Sequence, residues 1–144
     1  MDGKILVTGI SGWIAKHTTI ELLNLGYKVL GTVRNNSLIE QTKETISKFA
    51  PINNLSFVEL DLLKDEGWNE AAQGCKYIMH IASPFPYKVS NNRDSLLAPA
   101  VDGTLRVLNA GVKANVEQII KTSSIVAMFR KPNRSNPYSF GEND

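Results

Sequence analysis

Short apolar runs alternate along this chain with longer amphipathic segments. The runs are five or six residues long and rich in Val, Ile and Leu. Some of them, such as 77–81, are apolar at nearly every position and have no polar face. Strands of this kind are typical of a parallel sheet that helices cover on both faces. The predicted strands are Lys4–Thr8, Lys28–Val33, Leu55–Leu60, Lys76–Ile81 and Gln118–Thr122.

The segments between the strands carry apolar residues at helical spacing. Gly26 and Asn115 follow two of these segments, where residues that end helices are expected, and Pro99 is expected in the first turn of the last helix. A strand followed by a helix, repeated four times, predicts a doubly wound α/β sheet with right-handed crossovers. The predicted helices are Ile14–Leu25, Leu38–Phe49, a short one at Trp68–Ala72, and Leu97–Val112.

Composition narrows the class of protein. The chain has 144 residues, 42% of them hydrophobic and 21% charged, which indicates one globular domain. A formal net charge of +2, with the signs interspersed, gives no basic stripe for nucleic acid. The single cysteine, Cys75, excludes an internal disulfide, and no apolar run reaches the ~18 residues of a membrane helix. We therefore expect a cytoplasmic protein without a membrane anchor or a targeting segment.

The most specific motif is a glycine turn between the first strand and the first helix. Its residues are Thr8-Gly9-Ile10-Ser11-Gly12-Trp13-Ile14-Ala15. The first glycine permits a sharp turn, the second lets the backbone approach a pyrophosphate, and the alanine permits close packing of helix on strand. The helix N-terminus adds free amides and a partial positive charge. The motif predicts a dinucleotide site, and a purely structural turn is the alternative.

The residues after the second and third strands indicate which dinucleotide binds. Arg34 follows the second strand and no acid occurs until Glu40, which favours NADP(H) over NAD(H), because an arginine accommodates the 2′-phosphate. Residues 35–37 are expected as additional donors, and a solvated loop cation is the alternative for Arg34. Asp61 and the Leu62 amide are expected at the adenine edge, unless Asp61 caps the turn that follows it.

These motifs, taken in order, resemble one family. The glycine turn is followed by Thr32-Val33-Arg34, Asp61-Leu62-Leu63, the run from Gly74 to Phe85, the run from Ala100 to Leu108, and Lys121-Thr122-Ser123-Ser124. Together they resemble the extended short-chain dehydrogenase/reductases over essentially the whole chain. The resemblance is to the branch of dihydroflavonol reductases, cinnamoyl-CoA reductases and microbial aldehyde or ketone reductases. It implies a Rossmann-type sheet of about five strands in the order 3-2-1-4-5, without the C-terminal strands and the substrate lobe.

The resemblance also assigns roles to residues. Ser124 resembles the catalytic serine that hydrogen-bonds the substrate carbonyl, with Ser123 as the alternative. The segment 82–84 resembles the lining of the nicotinamide ribose site. The expected cofactor-binding residues are Thr8, Gly9, Ser11, Gly12, Trp13, Ile14, Arg34, Asp61, Leu62, Ala82, Ser83, Pro84, Thr122 and Ser123.

One element of the family's chemistry is missing. In these reductases a tyrosine acts as the acid and a lysine four residues later lowers its pKa. Tyr138 is followed at that distance by Glu142, whose charge would raise a tyrosine pKa. We therefore interpret Tyr138 as a loop aromatic. The expected organisation is an NADP-binding domain at 1–129 and a loop at 130–144 that leads toward the missing helix.

The sequence thus predicts the N-terminal, NADP(H)-binding part of a carbonyl reductase with little or no turnover of its own, whose partner is a small carbonyl substrate. A non-catalytic NADP-binding module and a truncated product that self-associates are the alternatives. No metal site is expected, since His17 and His80 are interpreted as packing or surface residues. Cys75 is interpreted as an inert apolar side chain.

Overall fold

A computed structural model of the chain describes residues 3–83 and 94–124. It contains one five-stranded sheet in which every neighbouring pair is parallel, with the order β3-β2-β1-β4-β5. Both the architecture and the strand order confirm the sequence prediction. The strands are β1 Lys4–Val7, β2 Lys28–Val33, β3 Leu55–Glu59, β4 Cys75–His80 and β5 Gln118–Lys121. The helices are α1 Trp13–Asn24, α2 Ile39–Ser47, α3 Trp68–Ala72 and α4 Asp94–Lys113, and a 3-10 turn at Asn36–Leu38 precedes α2.

The central strand β1 is buried on both faces. Ile5 and Val7 point into a cluster with apolar residues of α1 and α2, whereas Leu6 points into a second cluster with α3 and α4. Because side chains alternate across a strand, a continuous apolar run has partners on both sides only when helices cover both faces. This arrangement explains why the short runs lack the alternation of a half-exposed strand.

The helix ends follow the backbone preferences of their residues. Gly26 has a φ of 85° just after α1, and Asn115 has a φ of 55° just after α4. Both values lie in the left-handed region that glycine and asparagine tolerate best, so the two predicted helix stops are confirmed. The prediction for Pro99 was wrong, because α4 begins at Asp94 and Pro99 lies in its second turn.

Between residues 100 and 113, the buried positions of helix α4 are Gly103, Val107, Ala110 and Gly111. Val107 and Ala110 are buried, while Val101, Leu105 and Val112 are about half exposed or more. A Cβ at Gly103 would lie 2.8 Å from the Cβ of Leu62, and one at Gly111 would meet Ile119 and Ile78. The two glycines let α4 approach closely, which decides the face that it buries.

Candidate functional site

A groove of about 870 Å³ runs along the C-terminal edge of the sheet. It lies at the end of β1, where the order of the strands changes direction: β2 and β3 follow on one side of β1, and β4 and β5 on the other. Ligands of open α/β sheets bind at such a switch point. The groove is lined by Gly9, Ser11, Gly12, Trp13, Ile14, Ala15, Thr32, Arg34, Leu38, Leu60, Asp61, Leu62, Leu63, Trp68, Ile81, Ala82 and Ser83.

The glycine turn forms the floor of this groove. Gly9 has a φ of 68°, and a Cβ there would lie 2.9 Å from the Cβ of Ala82, so only glycine fits. The Gly9 amide donates to the Thr32 hydroxyl at 3.0 Å, and the Gly12 amide donates to the Gly9 carbonyl at 2.9 Å. Gly12 caps α1 without a side chain, so the first-turn amides of the helix face the groove uncovered.

Packing against β2 holds the glycine turn in place on the side away from the groove. Ile10 is completely buried, and its amide donates to the Thr32 carbonyl at 3.0 Å. A Cβ at Gly31 would come closer than 3.0 Å to three side-chain carbons of Ile10. The glycine in β2 therefore makes room for the isoleucine of the turn, a pairing that sequence spacing does not reveal.

A buried hydroxyl joins the turn to the end of β4. The Thr8 Oγ1 accepts hydrogen bonds from the amides of Ile81 at 3.0 Å and Ala82 at 2.9 Å, and it lies 2.9 Å from His80 Nδ1. A hydroxyl has two acceptor positions and one proton. With both acceptor positions taken, Thr8 must donate to His80, which fixes the imidazole as neutral with its proton on Nε2.

The surroundings of His80 favour the same neutral form. Burial, and then the positive charge of Lys121 on β5, lower the pKa of His80 to about 4. His80 lies opposite Lys121 in the parallel pairing of β4 with β5. The prediction that His80 is a hydrogen-bonded core residue is confirmed. What the sequence did not reveal is its partner, since Thr8 is 72 positions away.

The ends of β2 and β3 place charged groups beside the groove. Arg34 is exposed and lines both the groove and an adjoining pocket of about 170 Å³. That pocket also contains Glu59, Asp61, Lys64 and Glu66. Glu59 was not predicted from the sequence, where its only signal is a charged residue at the end of an apolar run.

Asp61 caps the turn that follows it, as the alternative to adenine binding predicted. Its Oδ1 accepts from the Leu63 amide at 3.0 Å, and its carbonyl accepts from Trp68 Nε1 at 3.2 Å. Arg106 on α4 donates to the Leu62 carbonyl at 2.8 Å and pairs with Asp65. This segment is thus held from two helices, and it still lines the groove.

The expected residues after β4 and β5 do not all meet in one place. Ala82 and Ser83 line the groove, whereas Pro84 and Tyr138 lie outside the described residues. The segment 122–124 is exposed beyond β5 and contributes nothing to the groove lining. The structure brings the expected cofactor residues of β1 to β4 together and leaves Ser124 one strand away.

Three further expectations concern a metal site, Cys75 and a membrane helix. Within residues 3–83 and 94–124, no three His, Cys, Asp or Glu side chains cluster as metal ligands. Cys75 is buried, its thiol donates to the Ala71 carbonyl at 3.3 Å, and burial raises its pKa. None of the helices described is long and apolar enough to cross a membrane.

Comparison with known proteins gives consistent results. The model of the NAD dependent epimerase/dehydratase family matches residues 5–143. Cinnamoyl-CoA reductase 1 of Petunia hybrida is 36% identical over 140 residues, which cover 93% of this chain and 39% of that protein. Dihydroflavonol 4-reductase of Hordeum vulgare is 33% identical over 123 residues, covering 85% and 35% respectively.

A solved structure extends the likeness to three dimensions. The crystal structure of a yeast methylglyoxal/isovaleraldehyde reductase complexed with NADPH superposes with a TM-score of 0.75 at 30% identity. The match covers 86% of this chain and 38% of that one. The chain thus spans less than half the length of the proteins it resembles.

Proposed function

Because the chain belongs to the NAD dependent epimerase/dehydratase family, we propose that it forms the NADP(H)-binding part of a carbonyl reductase. The observation that carries this proposal is the groove at the switch point, floored by the Gly9–Gly12 turn and the uncapped start of α1. The likeness to an NADPH-bound reductase supports the same cofactor.

The groove fits a nicotinamide dinucleotide by its shape and its donors. The backbone at Gly12 is open toward the groove, where a Cβ would have only the Gly9 carbonyl within 4 Å, at 3.2 Å. A pyrophosphate at this position meets the amides of the first helical turn and no acidic side chain, since α1 has none there. Ser11, Trp13 and Ile14 flank this position.

The remaining contacts extend along the strand ends in both directions. Arg34 lies where the 2′-phosphate of NADP(H) is expected, with Asp61 and Leu62 toward the adenine. Thr8 holds the segment after β4 close to the turn through the amides of Ile81 and Ala82. On the nicotinamide side the proposed lining residues are Ala82, Ser83, Pro84, Thr122 and Ser123.

The proposed reaction is reduction of an aldehyde or ketone. The cofactor supplies a hydride to the carbonyl carbon, while negative charge grows on the carbonyl oxygen. Ser124 is the proposed hydrogen-bond donor to that oxygen. The 144 residues contain no Tyr-x-x-x-Lys, and Glu142 follows Tyr138 at the lysine's distance. We therefore propose that this chain binds the cofactor and turns over slowly or not at all.

Cofactor choice is the first test. Arg34→Asp should abolish or reverse a preference for NADPH over NADH, because it replaces the cation at the 2′-phosphate with an anion. Trp13 and Trp68 both line the groove, and Trp13 is 77% exposed, so quenching of the tryptophan fluorescence measures binding. Lys43→Asp makes the same charge reversal on the exposed side of α2 and should leave the preference intact. Equal affinity of the native chain for both dinucleotides would contradict the assignment.

A second candidate is a cofactor-binding module that performs no chemistry. The separation of Ser124 from the groove lining favours it. NADPH oxidation measured with a panel of aldehydes distinguishes the two candidates once the C-terminal part of a related reductase is supplied. Turnover supports the reductase, and binding without turnover supports the module. Robust turnover by this chain alone, lost in Tyr138→Phe, would contradict our interpretation of Tyr138.

A further inference from the structure

The last residue of β3 places a carboxylate beside the loop that follows β2. Strands β2 and β3 pair with Val33 opposite Glu59, so the two strands end at the same level. The Glu59 Oε2 accepts a hydrogen bond of 2.8 Å from the backbone amide of Asn36. This bond fixes the position of the carboxylate relative to the loop that begins with Arg34.

The next two amides of the same loop also have acceptors within the protein. The Ser37 amide donates to the Asn35 side chain at 2.9 Å, and the Leu38 amide donates to the Asn35 carbonyl at 3.0 Å. With the Asn36 amide bonded to Glu59, three consecutive amides have acceptors within the protein. The expectation that residues 35–37 supply additional donors to a phosphate therefore does not extend to the backbone amides of Asn36 and Ser37. Arg34 is the cation of this loop.

The charge around Arg34 is mixed. The adjoining pocket is lined by two cations, Arg34 and Lys64, and by three carboxylates, those of Glu59, Asp61 and Glu66. The ion pairs within the described residues are Lys48–Glu44, Lys76–Glu117 and Arg106–Asp65, so none neutralises Glu59 or Arg34. A phosphate bound to Arg34 consequently meets the field of a fixed carboxylate that forms no salt bridge within the described residues.

We propose that Glu59 determines cofactor specificity by opposing the 2′-phosphate that Arg34 attracts. The carboxylate lowers the affinity for NADP(H) and leaves that for NAD(H) unchanged, because a 2′-hydroxyl carries no charge. The proposal rests on the proposed function, since it concerns the same groove and the same cofactor. It adds that the acidic residue that disfavours NADP(H) in this chain lies at the end of β3 and not at the end of β2.

Glu59→Gln tests the charge separately from the hydrogen bond. Glutamine keeps an oxygen that accepts from the Asn36 amide, and it removes the negative charge. Affinities of the 144-residue chain for NADPH and NADH are measured by quenching of tryptophan fluorescence and by calorimetry. We expect NADPH to bind about three to ten times more tightly in the variant, and NADH within about twofold of the native affinity. The gain should shrink between about 0.05 M and about 0.5 M salt, because salt screens exposed charges.

Two further variants make the result decisive. Glu70→Gln changes the net charge equally at an exposed position of α3 outside the groove and the pocket, and it should not alter the ratio of affinities. Glu59→Ala removes the acceptor as well. A loss of affinity for both dinucleotides in this variant measures how much the Asn36–Glu59 hydrogen bond contributes by holding the loop in place.

The proposal is wrong if Glu59→Gln leaves the ratio of affinities unchanged, if it weakens both dinucleotides equally, or if Glu70→Gln shifts the ratio as much. Failure of the native chain to bind either dinucleotide contradicts the proposed function and this proposal together. Native binding of NADPH with an unchanged ratio in Glu59→Gln contradicts the role of Glu59 alone.

Discussion

Replacing Thr8 with valine removes a hydroxyl that three groups share at the junction of β1 and β4. The amides of Ile81 and Ala82 lose their acceptor, and His80 Nδ1 loses its donor. Valine has nearly the same shape, so the change creates little cavity. Thr8 is completely buried and His80 is 2% exposed, whereas Ile81 and Ala82 are half-buried. Water therefore reaches the two amides more easily than the imidazole.

The expected loss of stability follows from these three groups. An unsatisfied buried donor or acceptor costs about 1–3 kcal/mol, with the lower values where water has access. For one well-buried group and two half-buried ones, the free energy of unfolding should fall by about 3–5 kcal/mol. Thr8→Ser keeps the hydroxyl and loses one methyl group, so it should cost about 1 kcal/mol.

Urea unfolding followed by the fluorescence of buried Trp68 measures these differences. With a slope of about 2 kcal/mol/M, Thr8→Val should lower the midpoint by about 2 M. Thr18→Val is the matched control. Its hydroxyl donates only to the Ile14 carbonyl of its own helix at 3.0 Å, so the free energy of unfolding should change by less than about 0.5 kcal/mol.

A free energy of unfolding for Thr8→Val within about 1 kcal/mol of that for Thr8→Ser would contradict the shared role of the Thr8 hydroxyl. Such a result would mean that water, or a shift of the backbone after β4, replaces the hydroxyl at little cost. The assignment of the His80 tautomer would then have no support, because it depends on Thr8 accepting from both amides.

Three other predictions concern the same region. Between pH about 6.5 and about 4 the unfolded chain binds a proton at His80 that the folded chain does not. The free energy of unfolding should therefore decrease by up to about 3 kcal/mol as the pH is lowered from about 6.5 to about 4. Unfolding curves across this window should show no such component in His80→Gln. Gly31→Ala should destabilise the chain by about 1–3 kcal/mol in urea, and Ile10→Val should relieve part of that loss. Gly12→Ala should lower the free energy of unfolding by less than about 1 kcal/mol, because alanine is a poorer N-cap and its Cβ would lie 3.2 Å from the Gly9 carbonyl. It should weaken dinucleotide binding at least about tenfold, since the same Cβ would enter the pyrophosphate position. Equal loss of stability in the two glycine variants would contradict this distinction.

Much of the fold follows from local pattern. The five strands were predicted to within about one residue at each end, because consecutive apolar positions and flanking glycines are local signals. The start of α4 was placed three residues late, since a proline was expected in the first turn. The buried face of that helix was not predictable from its aliphatic residues, because Gly103 and Gly111 decide how closely it approaches the sheet.

The candidate site divides in the same way. The Gly9–Gly12 turn and Arg34 were identified from the sequence, since turn chemistry and charge at a strand end depend on neighbours in the chain. Glu59 and the Thr8–His80 pair were not, because their partners lie 23 and 72 positions away.

The class of fold and the position of the glycine turn thus follow from the sequence, and the strand order follows from its resemblance to a family. The groups around that turn become known only from the packed sheet. Parallel pairing sets Glu59 level with the end of β2, and burial makes the Thr8 hydroxyl the shared partner of His80 and two amides. Hydrogen bonds and charges act through space over a few ångströms, and folding brings residues far apart in the chain within that range.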